Sequence, residues 1–241
     1  MQTRAEPYFK IYSLSESAVT IEFGNEISED ILQRISSFNK RLLEQSLPGF
    51  YSSVPAYTTL SVFFDPSQVA ASNTLTGADC FEKVSQYLTS LKDKVQDSLT
   101  VAAPMITIPV CYGGGFGMDL DEVAEIHQLT AQQVIDIHTK NVYKVYMIGF
   151  VPGFAYMGGM YEQIATPRKA TPRKTIPAGS VGIAGKQTGI YPLATPGGWQ
   201  IIGRTPLKMF DAGREQPSLL KAGDNVVFKA IGSEEFEYLS H

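Results

Sequence analysis

With 241 residues, 44% of them apolar, the chain holds enough material to bury one large or two small cores. Its 20 Lys and Arg against 24 Asp and Glu give a net charge of -4 with no run of like charges, so no nucleic acid and no membrane surface is expected as a partner. No stretch approaches the ~18 apolar residues of a membrane span, the start MQTRAEPYFK lacks a signal peptide's apolar core, and Cys80 and Cys111 form neither a metal-type pair nor a disulfide framework, which points to a reducing, cytoplasmic setting.

Tyr8 to Tyr12 and Val19 to Phe23 alternate in period two, each over about a strand length. Ser28 then precedes Ile31, Ile35, Phe38 and Leu42 at helical spacing, which predicts a capped amphipathic helix closed by Leu47-Pro48-Gly49. Strand-like runs at Phe50 to Val54 and Thr58 to Phe64 lead to a second helix from about Thr76 to Ser98, with Phe81, Val84, Leu88, Leu91 and Val95 on one face. The order ββαββα predicts an α+β N-terminal domain over residues 1–100, with helices on an antiparallel sheet.

Only 3 of the 21 glycines precede residue 111, and 10 of the 14 prolines follow residue 100, a shift that marks a domain boundary. Beyond it, helical patterns are confined to Asp119–His127 and Thr130–Lys140, and Thr130 with Gln133 has capping-box spacing. Short strands at Met105–Val110, Val142–Ile148, Val181–Ala184, Gln200–Arg204 and Asn225–Ala230 suit a mainly-β domain over residues 101–241, a closed barrel or a sandwich.

The candidate chemistry lies between Tyr146 and Asp211, where Gly, Pro, Arg and aromatic residues crowd together. Proline fixes φ and glycine permits close backbone approach, so such loops hold side chains around a cleft at low entropic cost, or else simply shape barrel turns. Arg168 and Arg173 sit in twin Thr-Pro-Arg units and Arg204 ends a predicted strand; forked guanidinium donors in this setting suit a carboxylate or phosphate, against the plain alternative of solvated surface arginine. Gln187 and Thr188 offer neutral hydrogen bonds or close a hairpin. His138 is read as offset from Val134, Ile135 and Ile137, a satisfied structural histidine before a catalytic one, and Trp199 as a core anchor or a ligand platform.

Several motifs fail their tests. Gly182-Ile183-Ala184-Gly185-Lys186-Gln187-Thr188-Gly189 lacks the Gly at 180 and the Ser or Thr at 187 of a phosphate-binding loop, and Ser180 is one residue out of register for a nucleophile elbow. His127, His138 and His241 have no ligand-like spacing, so no metal is expected. The run from Gly113 to Gly117 reads as a flexible connection, because Asp119, Asp121 and Glu122 already occupy the following helix start.

The C-terminal motifs resemble those of the family that includes KipI, allophanate hydrolase subunit 1 and the B subunit of 5-oxoprolinase, most of all the last. The resemblance is carried by Gly149-Phe150-x-Pro152-Gly153-Phe154-x-Tyr156-Met157-Gly158-Gly159, by Pro167-Arg168 and Pro172-Arg173, by the runs Pro177 to Gly185 and Gln187 to Pro192, and by Pro196-Gly197-Gly198-Trp199 running to Gly203-Arg204-Thr205-Pro206. Looser agreement at Ser15–Phe23 and Val54–Pro66 extends it over nearly the whole chain. Departures are Gly115, where an acidic residue is common, and Thr195, where Ser often stands.

The resemblance implies an α+β domain followed by a cyclophilin-like barrel. It also implies one component of a heteromeric 5-oxoprolinase, inactive alone, that opens 5-oxo-L-proline to glutamate with ATP and Mg, acting with two partners, a KipA-type C subunit and an A subunit. No tightly bound cofactor is implied, and which component binds ATP is left open. Inhibition of a sensor histidine kinase's autophosphorylation, or a half of a urea carboxylase or allophanate hydrolase-type assembly, are the alternatives. For a substrate with a carboxylate and a lactam, the expectation is one cleft at the partner-facing end of the barrel. His138, Arg168 and Arg204 would act in catalysis there, and Arg173, Gln187, Thr188, Phe150 and Trp199 in substrate binding.

Overall fold

The computed structural model describes residues 9–92 and 105–240. They form two compact units, within residues 1–101 and 102–241.

In the first unit, β1 (Lys10–Ser15), β2 (Ala18–Glu22), β3 (Phe50–Ala56) and β4 (Thr59–Phe64) make an antiparallel sheet in the order β1-β2-β4-β3. Strand β4 alternates in burial: Leu60, Val62 and Phe64 point inward, while Thr20 and Ser61 hydrogen-bond across the opposite face at 2.9 Å. Helix α1 (Glu29–Glu44) starts where the Ser28 hydroxyl accepts from the Ile31 N–H, and it buries Ile31, Ile35, Phe38 and Leu42. Each such side chain contributes on the order of 1.5–3 kcal/mol by leaving water. A short helix, α2 (Pro66–Ala71), was not expected; Asp65 caps it and Pro66 sits at its first position, a local signal the apolar pattern hid. The order is therefore two strands, a helix, two strands and two helices, the last being α3 (Cys80–Lys92); residues 93–98 of the expected second helix lie outside the described residues.

The second unit is a closed barrel of seven strands. They are β5 (Met105–Tyr112), β6 (Val142–Ile148), β7 (Ala155–Gly158), β9 (Ser180–Ala184), β10 (Gln187–Ile190), β12 (Gln200–Arg204) and β13 (Asn225–Ala230), in the order β10-β7-β6-β13-β5-β12-β9. Closure is completed by a parallel pair, with Met105 beside Asn225 and Val110 beside Ala230. It removes the free edges an open sheet would expose. Two further strands, β8 (Arg173–Ile176) and β11 (Thr195–Gly197), pair with each other beside the barrel. The strands missed in the sequence, β7, β8, β10 and β11, are three or four residues long and too short to show a period.

Helices α4 (Leu120–Ile126) and α5 (Ala131–Lys140) join β5 to β6, and α6 (Ser233–Leu239) follows β13. The capping box forms as spaced, with Thr130 accepting from the Gln133 N–H and Gln133 accepting from the Thr130 N–H. Ile108, Val110, Val145, Met157, Val181, Ile183, Val226 and Phe228 belong to the main core, while Phe154, Ile176, Tyr191, Trp199 and Ile201 form a smaller apolar cluster. That second cluster underlies the candidate site. Among the described residues, no helix is long and apolar enough to cross a membrane.

Candidate functional site

Helix α5 carries two buried residues, Val134 and His138, one turn apart. His138 thus lies on the inward stripe rather than off it, and it is fully buried. The Thr188 hydroxyl donates to Gly182 O at 3.0 Å, so it accepts from Nε2–H of His138 at 3.1 Å, and Nδ1 is left to accept the Tyr112 hydroxyl at 2.8 Å. The Tyr143 and Phe228 rings pack at centroid distances of 5.2 and 4.5 Å. Burial pulls the imidazole pKa down from 6.5 to about 3, which keeps the ring neutral, and burial raises the Tyr112 hydroxyl well above its ordinary value. His138 and Thr188 are a hydrogen-bonded pair buried inside the barrel.

The twin Thr-Pro-Arg units part company in the fold. Arg173 donates from Nη1 and Nη2 to the two oxygens of Asp119 at 2.9 and 2.6 Å, a forked pair with a carboxylate that is 1% exposed. Arg168 has no carboxylate partner among the described residues. Its guanidinium lies 5.7 Å from the Trp199 ring centroid, on an exposed loop.

Around Arg168 is a pocket of about 190 Å³ lined by Phe150, Phe154, Tyr156, Pro172, Tyr191, Pro196, Gly197, Gly198 and Trp199. Phe154 is its hub, with Tyr191 and Trp199 edge-on at 5.1 and 5.4 Å and Tyr156 tilted at 4.7 Å. Phe150 forms the lip. It is 59% exposed and holds φ at +65°, because the Val151 N–H donates to Gly149 O at 2.7 Å and closes a γ-turn around it. Such a backbone is costly for a bulky residue and persists only where its surroundings impose it. Gly197 is required on the opposite wall: a side chain there would meet the Tyr191 hydroxyl and, at 2.8 Å, Ile176 Cδ1.

Burial raises both tyrosine hydroxyls in the pocket, Tyr191 to about 12, although Arg168 pulls each back in part. Both stay protonated at neutral pH and serve as neutral hydrogen-bonding groups. Arginine, aromatic faces and hydroxyls together suit a small, partly apolar anion. Among the described residues, no carboxylate, imidazole or thiol lines the pocket.

Expected as one cleft, the site residues are divided by the geometry. Arg168, Phe150 and Trp199 meet at the pocket, whereas His138 and Thr188 are buried in the barrel and Arg173 is held by Asp119. Arg204 donates from Nε to Ala178 O at 2.7 Å and lies 6.0 Å from the Phe236 ring, and Gln187 begins β10 without lining the pocket. The sequence reading missed Phe154, Tyr156, Tyr191 and Asp119 as site residues. The first two stand in the quoted Gly-Phe-x-Pro-Gly-Phe-x-Tyr motif, so a signal was present. Among the described residues, no cluster of three or more His, Cys, Asp or Glu is placed to hold a metal ion.

Known proteins share this architecture. The family model described as carboxyltransferase domain, subdomain C and D, matches residues 9–220. A Bacillus subtilis (strain 168) protein, named as the B subunit of 5-oxoprolinase, is 46% identical over 228 residues, covering 95% of each chain. A protein of the same name from Escherichia coli O157:H7 is 39% identical over 220 residues, covering 91% of this chain and 94% of the other. The crystal structure of TTHA0988 superimposes with a TM-score of 0.76 at 34% identity; the match covers 90% of this chain and 40% of that longer one.

Proposed function

The chain belongs to the family of carboxyltransferase domains, subdomains C and D, and on that premise we propose that it is the B subunit of a heteromeric 5-oxoprolinase. In this reading the complex hydrolyses 5-oxo-L-proline with water to L-glutamate as ATP, used with Mg, goes to ADP and phosphate, in the cytoplasm, with a KipA-type C subunit and an A subunit. The barrel is read as the cyclophilin-like one. The Arg168 guanidinium takes the substrate carboxylate, while Trp199, Phe154 and Phe150 cover the ring's apolar edge and the tyrosine hydroxyls stand near its amide. His138 keeps the barrel's interior ordered rather than moving a proton.

The observation that carries the proposal is the one-sidedness of the pocket: it has aromatic walls and a guanidinium with no carboxylate partner among the described residues, and no carboxylate, imidazole or thiol among the described residues that line it. A binding surface of this kind suits a component whose partners bring the reactive groups and the nucleotide. Reconstitution tests it. Mixed with A and C partners, the chain should support ATP-dependent release of glutamate, and omission of any one of the three should abolish it. Full turnover by the isolated chain, or full turnover by the two partners without it, would sink the proposal.

A further inference from the structure

Asp119 stands at the start of α4, almost fully buried, yet its carboxylate reaches three other places in the chain. Oδ1 accepts from Arg173 Nη2 at 2.6 Å and pairs with Lys169 Nζ at 3.0 Å; Oδ2 accepts from Arg173 Nη1 at 2.9 Å and from the Ile201 backbone N–H at 2.6 Å. The Asp119 N–H returns a bond to Ile201 O at 2.8 Å. Ile201 is two residues beyond Trp199, and Lys169 directly follows Arg168.

The loop between Thr166 and Arg173 is tied down on either side of Arg168. The Gln200 side-chain amide donates to Pro167 O at 3.1 Å, and the Lys169 N–H donates to Gly198 O at 2.7 Å. Beyond these, Lys169 reaches Glu122 as well as Asp119. Burial alone would lower the Lys169 pKa, but the hydrogen bonds and charges of Glu122 and Asp119 outweigh it and raise the group. Two cations therefore face two carboxylates, and the charge of Arg168 is the one this cluster leaves for an incoming anion.

We propose that Asp119 is the positioning residue of the pocket: by engaging Lys169 and Arg173 it clamps the loop onto β12, so that Arg168, of the two Thr-Pro-Arg arginines, faces the pocket as its anion-recognising group. The inference rests on the pocket reading above and deepens it. An asparagine at 119 keeps the shape but has one acceptor oxygen for four donors, so the clamp loosens without a large change in volume.

Trp199 is the single tryptophan of the chain, so its emission reports on the pocket directly. In the isolated full chain without ligand, Asp119→Asn should shift that emission in the direction Arg168→Met does, and should add nothing when Arg168→Met is already present. In the assembled complex, Asp119→Asn should raise KM for 5-oxo-L-proline roughly 10- to 100-fold, the usual cost of a slightly misplaced binding group, with a smaller effect on kcat. If Asp119→Asn does not fold, the double change Asp119→Asn with Arg173→Gln, which removes both charges of the pair, takes its place in the same measurements. Unchanged emission and KM would overturn the proposal, and so would an emission shift that persists in the Arg168→Met background. If 5-oxo-L-proline fails to perturb wild-type Trp199 and Arg168→Met leaves KM unaltered, the pocket reading falls, while the ligand-free emission series still decides whether Asp119 positions Arg168.

Discussion

Inside the barrel, His138 bonds Tyr112 through Nδ1 and Thr188 through Nε2, and the Thr188 hydroxyl donates to Gly182 O, so that the polar side-chain atoms of this trio are all matched. At the pocket, Arg168 is fixed by backbone bonds at Pro167 and Lys169 but has no carboxylate of its own among the described residues. Both regions place polar side chains against aromatic rings. What separates them is unused hydrogen-bonding capacity on a rigid support, which is what a ligand can exploit; residue type alone does not make that distinction.

The sharpest way to break the contrast is to empty the barrel interior. His138→Ala leaves a cavity and strands the Tyr112 hydroxyl, and should cost about 3–5 kcal/mol in denaturant unfolding. A loss under about 1 kcal/mol would mean that the interior network is not tightly packed. Gly197→Ala attacks the pocket wall instead: its methyl group displaces the Tyr191 hydroxyl, costing about 1–3 kcal/mol of stability and weakening binding in the pocket. A wild-type midpoint and KM in that variant would show that Tyr191 moves freely.

Acid separates the regions by a further, smaller step. The folded-state pKa of His138 is depressed to about 3 from 6.5, so between those values the unfolded chain binds the extra proton. Its contribution is complete above pH 6.5 and is lost as pH falls, with a slope approaching ~1.4 kcal/mol per pH unit. Between pH 6.5 and about 5, unfolding free energy should therefore decline less steeply in His138→Gln than in wild type. Equal slopes would contradict the buried neutral imidazole. Least affected should be Lys186→Ala, which removes an exposed ion pair with Glu162 that shares no bond with either network; its thermal midpoint should match wild type.

Legibility from sequence followed the range of the interactions. The Ser28 cap, the α1 stripe and the Thr130–Gln133 box depend on residues within a few positions of each other and were readable. The offset expected of His138 rested on Ile135 and Ile137 together with Val134, whereas burial along α5 follows Val134 and His138 alone. Arg168 and Arg173 share the same local Thr-Pro-Arg context. Their different fates are set by Asp119, which lies 54 residues before Arg173 in the chain and meets it only through the fold. Trp199 and Phe150 were legible as candidates, yet the pocket they form needs Phe154, Tyr156 and Tyr191 from separate strands and loops.

The most direct test of the division between pocket and interior compares Arg168→Ala with His138→Gln in the reconstituted complex, reading KM for 5-oxo-L-proline and the unfolding midpoint of each variant. Arg168→Ala should raise KM roughly 30-fold or more, as loss of one partner of a charge-paired contact does, and leave the midpoint near wild type. His138→Gln should lower the midpoint and leave KM close to its starting value. A wild-type KM for Arg168→Ala, or a large KM increase in a His138→Gln protein of undiminished stability, would contradict the account.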